Sequence, residues 1–209
     1  IWYNRSPQEL TELSQGSIVG EAKAKGRWLF LDLDPGYRLV IGEWGGRLQF
    51  HPKGSELPKK FHLYLPFMDG SFLTAMTQMW GAAELYEQGK ELERAYIKGM
   101  KYTPIESEFT FDYFQNLVTA VLAEKSQSAK GLLTQDQTIP GLGNSIAQDI
   151  LYQARIHPRR SLMSLSANEL QALYHSICQT VHACIQSGGR NDELDLFGKA
   201  GRYQRLMDK

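Results

Sequence analysis

Between Thr138 and Arg160 the chain reads TIPGLGNSIAQDILYQARIHPRR, a Pro-Gly-x-Gly-Asn turn opening an amphipathic helix that closes on His-Pro-Arg-Arg. Gly141 and Gly143 permit backbone angles and close approaches that a Cβ resists. Asn144 stands where a helix cap is expected. The free amides of a helix start, together with its dipole, favour an anion. A neutral asparagine donor beside them would hold a phosphate without adding a full charge. Arg155, Arg159 and Arg160 gather positive charge at the far end. Taken alone, the turn reads first as a plain helix start, and His157-Pro158 as an ordinary helix stop.

Other residue groups have similarly plain readings. His175, Cys178 and His182 share one stripe of a helical wheel, opposite the apolar face of Leu173, Ile177, Val181 and Cys184. No fourth ligand accompanies that stripe, so metal binding is not expected, and Cys184 reads as a small buried apolar residue. Asp32 and Asp34 could pose as a carboxylate pair, but a strand ending in Asp-Pro-Gly accounts for them as a turn. Lys59-Lys60 alone would be a solvated pair, and Asp149 an exposed helix residue. Trp28, Tyr37, Trp44 and Phe50 alternate with polar residues and read as core, with Trp44 beside Gly45-Gly46 also suited to a ligand-facing rim.

The elements that must position these residues fall into two halves. Ser6-Pro7 with Glu9 marks a short helix start, ended by Gly16. From Gly20 to about Gly89, RWLFLDL, YRLVIGEW, GRLQFH, FHLYLPF and SFLTAM alternate with tight turns and predict a β-sandwich or barrel. LYEQGKELERAYIKGMKYTPIESEFT reads as a polar connector. Beyond it the period turns helical, with Phe111, Phe114, Leu117, Val118, Val121 and Leu122 on one face. SAKGLLTQDQT predicts a short second helix, and a third opens near Asn144. A long last helix is framed by a Ser166/Glu169 capping box and a Gly188-Gly189 stop. The tail after it is glycine-punctuated and irregular. The reading is α+β: an antiparallel β-sandwich over residues 1–103, its N-terminal part missing, then a helical domain over 104–209.

Bulk composition narrows the function classes. Of 209 residues, 42% are apolar and 22% charged, ordinary for a globular protein, and 23 basic residues balance 23 acidic ones. Zero net charge argues mildly against a nucleic-acid binder, leaving only a local patch to do such work. No run approaches a membrane span, no leader is legible, and two cysteines in one predicted helix suit a reducing cytoplasm. The chain opens on Ile1-Trp2-Tyr3 without a methionine and closes on GRYQRLMDK, so it reads as the interior of a longer protein.

The 42 residues AKGLLTQDQTIPGLGNSIAQDILYQARIHPRRSLMSLSANEL resemble the helix–two-turn–helix region of the formamidopyrimidine-DNA glycosylase and endonuclease VIII family. LPKKFHLYL looks like the family's Pro-x-Lys segment, and GGRNDELDLFGKAGRYQ like its glycine-rich loop after the last domain helix. The resemblance implies base-excision repair: a DNA N-glycosylase with abasic-site lyase activity on oxidised bases in the intact protein. Its partner would be double-stranded DNA containing a damaged base, in the cytoplasm of a bacterium with its nucleoid; the chain is read as a monomer, with no membrane contact. Asn144, with the amides after Gly141 and Gly143, would hold a backbone phosphate near the lesion. Lys60 matches the lysine that reaches the phosphate beside the damaged nucleotide, and Lys130 the lysine before the Leu-Leu pair. Asp149 takes the place of a glutamate near the family's active-site N-terminus, a candidate supporting carboxylate.

The catalytic residues themselves are unassigned. In the family an N-terminal proline amine attacks C1′ of the damaged nucleoside to form a Schiff base, and the adjacent glutamate handles protons. Ile1 does not match that proline, and Pro7 is internal with no free amine. Residues 1–209 alone are therefore expected to have neither activity. No cofactor is expected in this chain. Zinc belongs to the family's C-terminal finger, which is missing here along with any Cys-x-x-Cys pair. QMWGA replaces the family's Arg-Phe-Gly wedge, putting Met79 for the arginine and Trp80 for the phenylalanine, a pair still suited to stacking and wedging. Two rival readings stay open: a non-catalytic DNA-binding relative, and a protein-interaction module.

Overall fold

The computed structural model describes residues 1–42, 46–78 and 80–207. The chain divides into two compact units, Ile1–Met100 with Leu194–Lys199, and Lys101–Glu193 with Ala200–Lys209. Each has its own apolar core.

The first unit opens with strand β1 (Trp2–Tyr3) and helix α1 (Pro7–Ser14). The capping box forms as the sequence predicts: Glu9 N–H donates to Ser6 Oγ at 3.2 Å, and Ser6 N–H donates to the Glu9 carboxylate at 2.8 Å. Seven strands follow: β2 (Ile18–Lys25), β3 (Trp28–Asp34), β4 (Tyr37–Gly42), β5 (Gly46–His51), β6 (Leu63–Pro66), β7 (Phe72–Thr77) and β8 (Ala82–Glu87). They make a five-stranded sheet in the order β1-β8-β4-β3-β2 and a three-stranded sheet in the order β5-β7-β6. All pairings are antiparallel except that of β1 with β8. Leu31, Leu39, Ile41 and Leu85 from the larger sheet share one core cluster with Leu63 and Ala75 from the smaller, which makes the unit a β-sandwich.

The connector expected from Leu85 onward is in fact structured. Its first residues finish β8, which lies between β1 and β4 with Leu85 fully buried. The chain then forms a 3-10 turn (Lys90–Glu93) and helix α2 (Ala95–Lys98). These cover the second face of the large sheet, where Trp28, Val40, Ala82 and Ile97 form a further cluster. Arg38 clamps this cover by bonding Asp32 and the buried Glu91, and Arg94 bonds the buried Glu84 at 2.7 Å while lying 4.5 Å over the Trp28 ring. Asp32 is thus half of an ion pair across the β3–β4 ladder, not a turn residue, and the Arg38 hydrogen bond holds its carboxyl below the usual carboxylate range.

Gly42 lies opposite Trp28 in the β3–β4 ladder, and a Cβ there would come within 2.0 Å of the indole. Gly42→Ala is therefore expected to overpack this face and cost roughly 1–3 kcal/mol. It would appear as a lower denaturant midpoint at unchanged slope.

The second unit is helical. Helix α3 (Phe111–Glu124) starts on Thr110, whose side chain accepts from Tyr113 N–H, and it buries Phe114, Leu117, Val118 and Val121. Helix α4 (Ala129–Thr134) and helix α5 (Asn144–Gln153) follow, then helix α6 (Ala167–Gln186). Helix α6 has the predicted Ser166/Glu169 capping box, and Gly188 and Gly189 end it with φ of 69° and 101°. Residues 194–199 leave this unit for the first: Phe50 N–H donates to Leu196 O at 2.8 Å, and Phe197 meets the Phe50 ring edge-on.

A helix–two-turn–helix with an open helix start

The site is built around the segment joining α4 to α5. Asp136 and Gln137 both hold positive φ, 54° and 47°, a strained arrangement for side-chain-bearing residues. The strain has a visible use. The Gln137 amide accepts from Gly141 N–H at 3.1 Å and donates to Leu142 O at 3.4 Å, bracing the second turn from inside. Gly141, at φ 88°, sits where only glycine is unstrained. Ile139 and Leu142 anchor the turn in the core. Residue type alone assigns Gln137 no role. Its only signal was the amide-rich Gln-Asp-Gln ahead of the glycines.

Gly143, not Asn144, is the helix cap. It is extended, at φ −146°, and makes no side-chain cap bond, while Asn144 is the first helical residue and is exposed. The cap expected of Asn144 therefore does not form, and its amide group is not spent on the helix. Helix bonding begins with Ala147 N–H to Gly143 O at 3.1 Å, so the amides of Asn144, Ser145 and Ile146 precede the ladder. Geometry and dipole together make this end attractive to an anion.

The His-Pro-Arg-Arg end also has a structural task. Helix α5 closes with Ile156 N–H on Leu151 O at 3.0 Å and Arg155 in the left-handed region at φ 56°. The chain then returns to the start of α4, where Ala129 N–H donates to Arg160 O at 2.8 Å and Lys130 N–H to Pro158 O at 3.0 Å. Those carbonyls satisfy amides that a six-residue helix would otherwise leave open. Lys130 is exposed and, with Ala147, Tyr152, Arg155 and Pro158, lines a groove of about 560 Å³.

The other candidates fall out as follows. Lys130, Gly141, Gly143, Asn144 and Asp149 all belong to the helical unit, whereas Lys60 belongs to the sandwich. Lys60 is exposed on the irregular stretch leading to β6. Asp149 is fully buried, contrary to the exposed position expected for it. Its carboxylate accepts from Tyr203 OH at 2.9 Å, Leu206 N–H at 3.1 Å and Met207 N–H at 3.0 Å. Burial, then this bond to Asp149, raises the Tyr203 phenol pKa, which keeps the phenol a donor. Asp149 thus ties the tail to α5.

Trp80 is 76% exposed. Met79, Trp44 and Gly45 lie outside the described residues. His182 Nδ1 lies 2.8 Å from Cys178 O, a bond within its own helix, and burial pushes the Cys184 thiol up to about 11. Among the described residues no group of three or more His, Cys, Asp or Glu side chains could hold a metal ion. Zinc of the kind the resemblance assigns to a finger therefore has no fitting ligand set in them. No helix among them is long and apolar enough to cross a membrane.

A β-sandwich unit and a helix–two-turn–helix unit with an open, glycine-shaped helix start define the class. Residues 101–194 match the family described as the formamidopyrimidine-DNA glycosylase H2TH domain. The chain is 27% identical to the formamidopyrimidine-DNA glycosylase of Bacillus licheniformis, over 95% of this chain and 72% of that one. It is 28% identical to the enzyme of that name from Lactobacillus johnsonii, over 99% and 76%. Two solved structures share the fold at TM-score 0.80 and 23% identity, each covering 93% of this chain and 71% of the other: Lactococcus lactis Fpg with Fapy-dG-containing DNA, as a mutant, and with DNA containing an abasic site. Residues 101–194 thus match the formamidopyrimidine-DNA glycosylase H2TH domain, and nearly the whole chain is similar to glycosylases of that name.

Proposed function

We propose that this protein binds duplex DNA at a damaged base and serves base-excision repair in the bacterial cytoplasm, as a DNA N-glycosylase with abasic-site lyase activity. The observation that carries the reading is the start of α5: an exposed Asn144 with no capping bond, beside amides that precede the helix ladder, on a turn held in strained backbone by Gln137. An asparagine spent on capping would have closed this end. Left open, it offers neutral donors to one phosphate, with Lys130 supplying charge along the same unit; Lys60, on the sandwich, would make a phosphate contact of its own. Phosphate contacts of this kind fix register without reading sequence, as recognition of a lesion within arbitrary DNA requires. Exposed Trp80 fills the space left when the damaged base turns out of the stack.

The test is borohydride trapping on a duplex containing an abasic site, using protein expressed from its complete reading frame. A covalent adduct is expected. No adduct, with duplex affinity that still falls as salt rises, would make the protein a non-catalytic DNA-binding relative. Affinity indifferent to salt would instead favour the protein-interaction module.

A further inference from the structure

The turn that carries Trp80 is held by a residue outside both the lysine pair and the wedge. The ladder between β6 and β7 stops at Leu63 opposite Ala75, short of Thr77. There the ring of His62 takes over from the strand: Thr77 N–H donates to His62 Nδ1 at 3.1 Å. His62 is also fixed by its own backbone, since its N–H donates to Ala75 O at 2.8 Å and its carbonyl accepts from Tyr3 OH at 2.6 Å. Accepting from a backbone amide leaves Nδ1 bare and places the ring proton on Nε2. Thr77 passes the constraint on, because its hydroxyl donates to Trp80 O, and Gly81 O accepts from Trp2 N–H at 2.7 Å.

We infer that His62 is a positioning residue that sets the exposed Trp80 for stacking against DNA, through the Thr77 amide. The inference rests on Trp80 being the wedge of the proposed function. Two features make His62 suited to this work. It is exposed, so its ring is not held there by the core, and the bond to Thr77 accounts for its orientation. It also stands two residues after Lys60, so one residue ties the candidate phosphate lysine and the candidate wedge to the same strand end.

The experiment compares four variants of the chain on two duplexes, one intact and one with an abasic site beside a fluorescent adenine analogue. Trp80→Ala is expected to lower the abasic-to-intact affinity ratio roughly tenfold and to abolish the analogue's fluorescence change, as removal of one stacking contact should. His62→Leu and His62→Gln should each lower the ratio on the order of fivefold with a reduced fluorescence change. His62→Asn, whose Oδ1 falls where Nδ1 was, should stay within about twofold of the parent. Gln puts its oxygen near Nε2 instead, and serves as the second loss variant if Leu does not fold. The inference is overturned if the loss variants keep the parent ratio while Trp80→Ala loses it, or if Asn falls as far as Leu and Gln. If Trp80→Ala keeps the parent ratio, the wedge reading itself fails, and the role of His62 falls with it.

Discussion

Asp149→Leu is expected to loosen the end of the chain and cost the helical unit roughly 2–4 kcal/mol. Leucine keeps the branched shape but is the larger side chain, so no cavity is created and the buried site is overpacked instead. What disappears is an acceptor serving three donors: the Tyr203 hydroxyl and the Leu206 and Met207 amides. A buried donor without a partner costs about 1–3 kcal/mol, but Leu206 and Met207 are exposed and their amides can turn to water, so the sum stays below three full penalties. The loss would appear as a lower unfolding midpoint and as faster hydrogen exchange at Leu206 and Met207. Asp149→Asn keeps one acceptor oxygen but aims NH₂ at a donor, and should fall between the two. Duplex affinity, measured well below the unfolding transition, should change less than about threefold, since additivity fails only between groups in contact. An unchanged midpoint for Asp149→Leu would overturn the structural role given to this carboxylate.

The second large effect separates charge from hydrogen bonding at the proposed DNA interface. Lys60→Ala should remove one phosphate charge contact, lowering the slope of log affinity against log salt by roughly 0.9 and weakening binding most at low salt. Asn144→Ala should weaken binding on the order of tenfold, the value of about one hydrogen bond to a charged group, with the slope unchanged because the lost group is neutral. Asn144→Asp should do more damage than alanine, because a carboxylate would face the phosphate across the helix start. Titrations of one undamaged duplex at several salt concentrations give all three answers. Equal slopes and equal affinities across the series would remove both residues from the interface.

Much of this architecture was legible because it is local. The capping boxes at Ser6/Glu9 and Ser166/Glu169 need only residues three apart, and both form. The apolar face of α3 follows from helical period, and its four central residues are buried as expected. Strands with clear apolar content, such as Trp28–Asp34, were equally readable. Strand β8 was not. Its Ala-Ala-Glu-Leu start has weak strand character, and it is a strand because β1 and β4 flank it in the sheet. Strand β2, rich in Lys, Glu and Ala, was missed for the opposite reason: it is the sheet edge, exposed almost throughout, so burial imposes no alternation on it.

At the site the same division holds. Residue type and spacing alone determined that a glycine-shaped turn opens a helix at Asn144, and the 42-residue pattern around it pointed to DNA. Only the tertiary structure decided what each residue is free to do. Gly143 takes the cap and leaves Asn144 available, while Gln137 spends its amide bracing the turn. The carbonyls of Pro158 and Arg160 close the start of α4, and Asp149 is claimed by a tail more than fifty residues away in sequence. A hydrogen-bonding group has few partners to give. Which partners it keeps depends on groups that the fold, rather than the sequence neighbourhood, brings within about 3 Å.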